Sequence, residues 1–177
     1  QYDPVSHRIF VVTLPLVDQN LNILQTPPSF LAVIDPVALK VVSHIRLPDT
    51  CLAPHGLVVD AQQREAFVAC VDSNNLARVD LRTMQSFPGA LLPLAYNPDI
   101  VRLDSKLHLL FVGCAAGISI FDESGRGLKK LGSNFFFGGG SHHTLAIDDA
   151  TSLIYLPQPS VGERPILRII KYVPNGV

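Results

Sequence analysis

The chain has 177 residues, of which 47% are hydrophobic and 16% are charged, and this composition is that of a domain with a buried core rather than a disordered segment. A formal net charge of −1 gives no support for nucleic acid or an anionic membrane as a partner. Apolar stretches reach about six residues, far short of the roughly 20 that a membrane-spanning helix needs.

Short apolar runs separated by polar turns predict strands throughout the chain, and no amphipathic helical stripe persists for three turns. The first run, IFVVT, is followed by an insertion at 14–30 with paired Pro27 and Pro28. Its loop-like composition indicates either a surface excursion or a lid or partner contact. Two further strands complete this first group, FLAVID at 30–35 and KVVSHIRL at 40–47.

The second and third groups each contain four predicted strands in the same order. The first and third strands end in Asp, the second is almost continuously apolar, and the fourth is weaker. The second group comprises GLVVD, REAFVAC, NLARVD and ALLPL, and the third comprises IVRLD, LLFVGC, GISIFD and GLKKLG. The last group begins at HHTLAID and ends with a third strand in RPILRIIKYV.

These groups are copies of a sequence repeat. The segments that begin at residues 54, 98 and 142 are similar in sequence and follow each other at a period of 44 residues. Each repeat has an Asp followed seven positions later by an aromatic residue, and this Asp ends the first strand of the later groups. In the first group Asp3 comes at once, so no first strand is expected there. These aspartates are interpreted as turn residues rather than catalytic residues: Asp3, Asp60, Asp104 and Asp148.

Four short antiparallel strands in roughly 44 residues are typical of one blade of a β-propeller, in which neighbouring blades bury each other's apolar strands. The sequence therefore predicts an all-β fold, a partial β-propeller forming a single domain over 1–177. About three and a half to four blades of four antiparallel strands are expected, with approximate boundaries at 1–53, 54–97, 98–141 and 142–177.

The strands IFVVT, AFVAC and LFVGC, each followed by a strand ending in VID, VD or IFD, resemble the YVTN-type seven-bladed β-propeller repeat proteins over essentially the whole chain. The resemblance implies a surface-layer-like or periplasmic, and hence extracytoplasmic, protein. Where the family motif ends in Asn, this chain has Thr13, Cys70, Cys114 and Gln158.

A family member would have about seven blades and would often close its ring with an N-terminal strand. The resemblance therefore implies that the chain is the C-terminal half of a propeller. The other half is then absent or replaced by a second copy, and self-association, most simply as a two-fold dimer, is expected.

Cys70 and Cys114 occupy equivalent places in successive repeats. Stacked sheets lie roughly 10 Å apart, which is too far for a disulfide, so buried free thiols are expected. Three arginines on outer strands, Arg46, Arg78 and Arg168, are expected to face solvent.

The position five residues before each first-strand Asp is polar and reads His55, Asp99 and His143, with His142 beside the last. Propellers bind ligands at the channel mouth, where first strands begin, and Arg102 on a first strand could also face it. Imidazole and carboxylate groups there could bind a ligand or a divalent metal, or activate water. Alternatively, they satisfy loop backbone groups or channel waters.

The sequence predicts no cofactor beyond that divalent metal, and no Ser–His–Asp or Cys–His arrangement can be assembled. The favoured interpretation is a non-enzymatic binding or scaffold module, with a protein or small ligand at the channel mouth or loops. The alternative is a lactonase-like hydrolase whose metal or water site uses His55, Asp99 and His143. A purely structural role in the cell envelope is a third interpretation.

Overall fold

The computed structural model describes residues 1–13, 28–88, 91–125, 127–135, 143–162 and 164–173. Its regular elements are sixteen β-strands, and no helix occurs in these ranges. The predicted all-β fold is confirmed, and the antiparallel sheets are those of a partial β-propeller. Most of the insertion, residues 14–27, lies outside the described ranges.

The chain divides into two compact units, and the first is Gln1–Pro93. Its first sheet has the order β1-β2-β3-β4. These strands are β1 (Tyr2–Asp3), β2 (Arg8–Thr13), β3 (Phe30–Asp35) and β4 (Lys40–Arg46). Its second sheet has the order β5-β6-β7-β8, with β9 also pairing with β7. These strands are β5 (Pro54–Asp60), β6 (Glu65–Cys70), β7 (Asn75–Asp80), β8 (Gln85–Ser86) and β9 (Leu92–Pro93).

The second unit is Leu94–Val177, and it contains a four-stranded sheet and a three-stranded sheet. The four-stranded sheet consists of β10 (Pro98–Asp104), β11 (Leu109–Cys114), β12 (Gly117–Asp122) and β13 (Lys129–Phe135). The three-stranded sheet consists of β14 (Ala146–Asp148), β15 (Leu153–Val161) and β16 (Arg164–Lys171). Sequential strands pair antiparallel in both sheets.

Two edges of the first unit differ from the predicted strands. Where no first strand was expected, Tyr2 pairs with Ile9, and the terminal amine of Gln1 donates to the carbonyl of Phe10 at 2.8 Å. Of the predicted strand ALLPL, only the two residues of β9 form a strand. β8 pairs with the other end of β7. Proline lacks an N–H donor, so Pro93 limits ladder pairing there.

The apolar second strands are buried, as their nearly continuous hydrophobic sequences predict. In the first unit, the core joins residues of both sheets and includes Phe10, Leu31 and Val68. In the second unit, Phe111 packs with residues that include Ile118 and Leu156. Apolar burial contributes roughly 25 cal/mol per Å², so these inter-sheet contacts are the main stabilising term within each unit.

The interpretation of the repeated aspartates as turn residues is confirmed. The Oδ1 atom of Asp60 accepts hydrogen bonds from the backbone N–H groups of Gln62 and Gln63 at 2.7 and 3.0 Å. Asp104 does the same for Lys106 and Leu107 at 3.1 and 3.0 Å. The third-strand aspartates form comparable turns: Asp35, Asp80 and Asp122.

The expectation of free thiols is wrong for Cys70, which forms a disulfide with Cys51. Cys51 lies three residues before β5, and Pro54 of β5 pairs with Cys70, so the two thiols meet at one sheet end. Comparing only repeat-equivalent cysteines misses this partner. Cys114 is free and buried as expected, and burial raises the pKa of its thiol to about 11.

The arginine prediction is confirmed for Arg46, whose side chain is 61% exposed. It is wrong for Arg78, which forms an ion pair with Glu65 at 2.8 Å and lies 4.5 Å from the ring centre of Phe87. Arg168 is only partly exposed, because it donates through Nε to Oε1 of Gln158. Cross-strand neighbours thus cover two of the three guanidinium groups.

Candidate functional site

The structure brings two of the predicted channel-mouth residues, Asp99 and His143, into contact. Nδ1 of His143 lies 3.2 Å from Oδ2 of Asp99. Asp99 stands at an irregularity in the pairing of β10 with β11, because Pro98 pairs with Cys114 and Ile100 with Gly113. Such an irregularity re-aims a side chain out of the regular sheet pattern.

His143 is positioned by the segment that leads into β14. Two residues later, Leu145 is buried in the apolar core of the second unit and anchors this segment. The His143 side chain remains 46% exposed and that of Asp99 27% exposed. The pair is therefore accessible to a ligand, while its backbone supports are fixed by core packing.

The contact favours one hydrogen-bonding arrangement of the imidazole. A carboxylate beside Nδ1 favours the tautomer that carries its proton there, and Nε2 is then the acceptor of the neutral ring. An acceptor nitrogen held in this way can receive an O–H or N–H donor, bind a metal ion, or take a proton from water.

His143 also lines a cavity of about 560 Å³ in the second unit. Drug-sized ligands occupy cavities of roughly 300–1,000 Å³ with mostly apolar walls and a few polar groups. The remaining wall comes from the segment after His143 and from both strands of the β15–β16 hairpin: Thr144, Pro157, Gln158, Pro159, Pro165, Ile166 and Leu167.

Gln158 supplies the buried polar group of this wall. Its side chain is 1% exposed, and its Oε1 accepts from Nε of Arg168 across the hairpin. The guanidinium thereby fixes the orientation of the buried amide. The neighbouring prolines have a restricted backbone, which makes this part of the wall rigid before any ligand binds.

The other predicted site residues are placed differently. His55 lies on β5 in the first unit and is exposed. Arg102 lies on β10 and donates through Nη1 to the carbonyl of Val101 at 2.9 Å. His142 falls outside the described residues. Within the ranges that the structure describes, no group of three or more His, Cys, Asp or Glu side chains has metal-binding geometry.

Sequence reasoning missed Gln158, Arg168 and the proline wall. A usable signal was present in the segment LPQP at 156–159, because prolines inside a predicted strand mark an irregular end or an edge. Gln158 also stands where the preceding repeats have the buried Cys70 and Cys114. A polar residue where the two preceding repeats have a buried cysteine is a candidate site residue.

No protein-family model and no curated protein sequence matches the chain. Among solved structures, Kuenenia stuttgartiensis hydrazine synthase matches with a TM-score of 0.62 and 16% identity, covering 80% of this chain and 40% of that chain. A functionally unknown protein from Desulfotomaculum acetoxidans matches with a TM-score of 0.59 and 14% identity, covering 89% of this chain and 47% of that chain.

A nidogen/laminin complex matches with a TM-score of 0.50 and 14% identity, covering 76% of this chain and 51% of that chain. The hydrazine synthase and nidogen/laminin neighbours are β-propeller-like proteins. At these identities, the likeness describes the fold alone. The chain spans about half the length of the solved chains it matches. Within the described residues, no helix is long and apolar enough to cross a membrane.

Proposed function

We propose that the chain is a non-enzymatic β-propeller binding module whose ligand enters the cavity beside His143. The observation that carries this proposal is the combination of an Asp-oriented imidazole with a rigid, proline-rich apolar wall. The ligand expected from this chemistry is a small apolar molecule with a hydroxyl or similar donor. Its body packs on Ile166 and Leu167, and its donor bonds to Nε2 of His143.

Phenol and anisole test this ligand class because they share an aromatic ring, but only phenol carries an O–H donor. We expect phenol to bind the wild-type chain more tightly than anisole in ligand-observed NMR titrations. His143→Leu should remove that preference, whereas His44→Leu, at an exposed histidine of the first unit, should retain it. Equal binding of the two probes by the wild type would refute the assignment of His143.

We propose an extracytoplasmic location for the protein, as the YVTN-type resemblance implies. The Cys51–Cys70 disulfide supports this location, because disulfides persist in oxidising compartments and are rare in the cytosol. Alkylation of free thiols in freshly lysed native cells, followed by mass spectrometry, tests it. A chain recovered with Cys51 and Cys70 both alkylated would contradict the proposal.

The four sheets are proposed to be blades with boundaries at 1–53, 54–97, 98–141 and 142–177, accompanied by further blades in the same protein or in a second copy. The greater length of the solved neighbours supports this arrangement. Light scattering across a concentration series tests the second-copy form, for which a dimer is expected. A monodisperse monomer at all concentrations would leave further blades of the same protein as the remaining form.

A lactonase-like hydrolase is the second candidate function. The observation that favours it is the contact between His143 and Asp99, since an imidazole oriented by a carboxylate can act as a general base toward water. Turnover of the lactone dihydrocoumarin that His143→Ala abolishes would replace the binding proposal. A thermal-shift titration with Zn²⁺, Ca²⁺, Mn²⁺ and Cu²⁺ tests the metal form of this candidate, in which Asp99 and His143 are the proposed ligands.

A further inference from the structure

The outer edge of β16 differs from the third strands of the other sheets. β3, β7 and β12 each pair with a fourth strand, whereas β16 is the last strand of its sheet in the described part of the chain. It runs for eight residues, Arg164–Lys171. An exposed strand edge of this length presents unpaired backbone donors and acceptors and is a template for another strand.

The last cross-strand pair of β16 contains a basic residue where the corresponding pairs of the two preceding sheets contain an acidic one. Glu65, Leu109 and Leu153 begin the second strands of three successive sheets, and their partners are Asp80, Asp122 and Lys171. Lys171 therefore occupies the position that an Asp holds in the other repeats.

That Asp has two functions in the other sheets. It accepts N–H bonds that turn the chain into the fourth strand, as Asp35 does from Val37 and Ala38 at 2.9 Å. It also pairs with the first residue of that strand, which is Lys40 opposite Asp35 and Lys129 opposite Asp122. A lysine ammonium has no acceptor, so Lys171 can form no such turn, and an acidic side chain opposite it would form an attractive cross-strand pair.

The rest of β16 adds to the same charge and presents an apolar face. Arg164 and Arg168 are basic, and the strand contains no Asp or Glu. Leu167 and Ile169 are 57% and 56% exposed, and they alternate with Lys171 on one face of the strand. Pairing of two β16 strands from different copies would oppose like charges, which is destabilising.

We propose that the outer edge of β16 docks an extended acidic segment of another polypeptide as an antiparallel fourth strand. The segment carries a carboxylate opposite Lys171 and apolar residues opposite Ile169 and Leu167. Backbone hydrogen bonds supply the affinity, and the carboxylate supplies the register and the selectivity. This edge shares Leu167 with the cavity beside His143, whereas Ile169 and Lys171 do not line that cavity.

The probe is a fluorescent octapeptide, Glu-Thr-Val-Thr-Val-Thr-Thr-Glu, whose first residue falls opposite Lys171 in the register of Asp35 with Lys40. A second peptide, identical except for Lys at the first position, is the comparison probe. We expect the full chain to bind the Glu probe about fivefold more tightly than the Lys probe in fluorescence anisotropy, because an attractive cross-strand pair replaces a repulsive one. Lys171→Glu should reverse the order of the two probes.

Arg46→Glu, a charge reversal on the exposed edge strand β4, is the matched control and should leave the order unchanged. Hydrogen exchange locates the contact, since alternate backbone amides of β16 should become protected when the Glu probe is bound. Far-UV circular dichroism confirms that each variant is folded. Equal affinity for both probes, no binding of either, or protection elsewhere would overturn the proposal, and the basic residues would then serve to repel other strands.

Discussion

Ala95 and Cys114 hold in the third sheet the positions that the disulfide-bonded Cys51 and Cys70 hold in the second. The surroundings repeat in detail, because Pro54 pairs with Cys70 as Pro98 pairs with Cys114. The backbone bond from Val71 to the carbonyl of Ala53 recurs from Ala115 to that of Asn97, each at 3.0 Å. The second sheet therefore shows the disulfide that a single substitution at Ala95 would create in the third sheet.

We expect Ala95→Cys to form a second disulfide with Cys114, without rearrangement of the sheet. The loop would span 19 residues of sequence, the same separation as between Cys51 and Cys70. Loops of about 15 residues give a chain-entropy stabilisation of about 3 kcal/mol, and we expect a similar gain in the free energy of unfolding. Urea denaturation with and without reductant measures the gain, and mass spectrometry after thiol alkylation identifies the bond.

Ala95→Ser is the control for that experiment, because it adds a side chain of similar size that cannot form the bond. It should show no reductant-sensitive gain. An Ala95→Cys chain that retains two reactive thiols under oxidising conditions would show that the two repeats differ at this sheet end.

Removal of the native disulfide should destabilise the first unit. We expect Cys51→Ala with Cys70→Ala to lower the free energy of unfolding by about 2–4 kcal/mol, because the unfolded chain regains the freedom of the closed loop. Cys114→Ala removes an equally buried sulfur without any crosslink and measures the packing loss alone. A double variant no less stable than Cys114→Ala would mean that the disulfide adds nothing to stability.

A backbone prediction follows from Leu39, whose φ is +51° in the turn between β3 and β4. Left-handed backbone costs a residue with a Cβ about 1–2 kcal/mol, and glycine escapes this cost while losing about 0.5–1 kcal/mol of chain entropy. Leu39→Gly should therefore raise the urea midpoint slightly. Val37→Gly in the same turn, also exposed but without positive φ, should lower it, and equal effects of the two would argue against strain at Leu39.

Acid should destabilise the fold through the turn aspartates. Hydrogen bonds from turn hydroxyl and N–H groups hold the pKa values of four carboxyls below their ordinary value of 3.8: Asp35, Asp80, Asp122 and Asp148. Since their pKa is lower in the folded chain, the unfolded chain binds protons first. Their contribution is complete above the ordinary pKa and is lost as pH falls through the folded values.

Urea midpoints measured from about pH 5 down to about pH 2 test this dependence. Replacement of the four aspartates by Asn keeps the acceptor oxygen but removes the titration, so the midpoint should fall less steeply with acid. A slope unchanged by the four substitutions would assign the acid sensitivity to other carboxyls.

The sequence predicted the features that depend on local chemistry repeated along the chain. Asp60 and Asp104 indicated their turns because the carboxylate and its N–H partners are only two and three residues apart. The disulfide was missed because Cys51 has no cysteine at the corresponding place in the next repeat, where Ala95 stands. The repeat pattern therefore gave no signal for it.

The candidate site was predicted only in part, for a similar reason. The repeat placed Asp99 and His143 at equivalent positions, and their contact fits that register. The cavity beside His143 depends on the β15–β16 hairpin, in which Gln158 pairs with Ile166 and Arg168 with Leu156. This cross-strand register brings together residues that do not occupy equivalent positions in the repeat. The periodicity of the sequence therefore does not predict their contacts.

One residue in each of these hairpin turns has left-handed backbone, and this affects how the sequence of the fold can change in evolution. In six turns of the described part of the chain, the fourth residue after the Asp has positive φ, and five different amino acids occur there: His7, Leu39, Arg64, Met84, His108 and Ser152. The carboxylate and the backbone define the turn, so the side chain at this position is free to vary. At this position, Arg64 forms an ion pair with the buried Asp3 at 2.6 Å, and His7 forms a hydrogen bond with Tyr2 at 2.8 Å. Each hairpin thus offers an independent place where a new contact can evolve without loss of the blade.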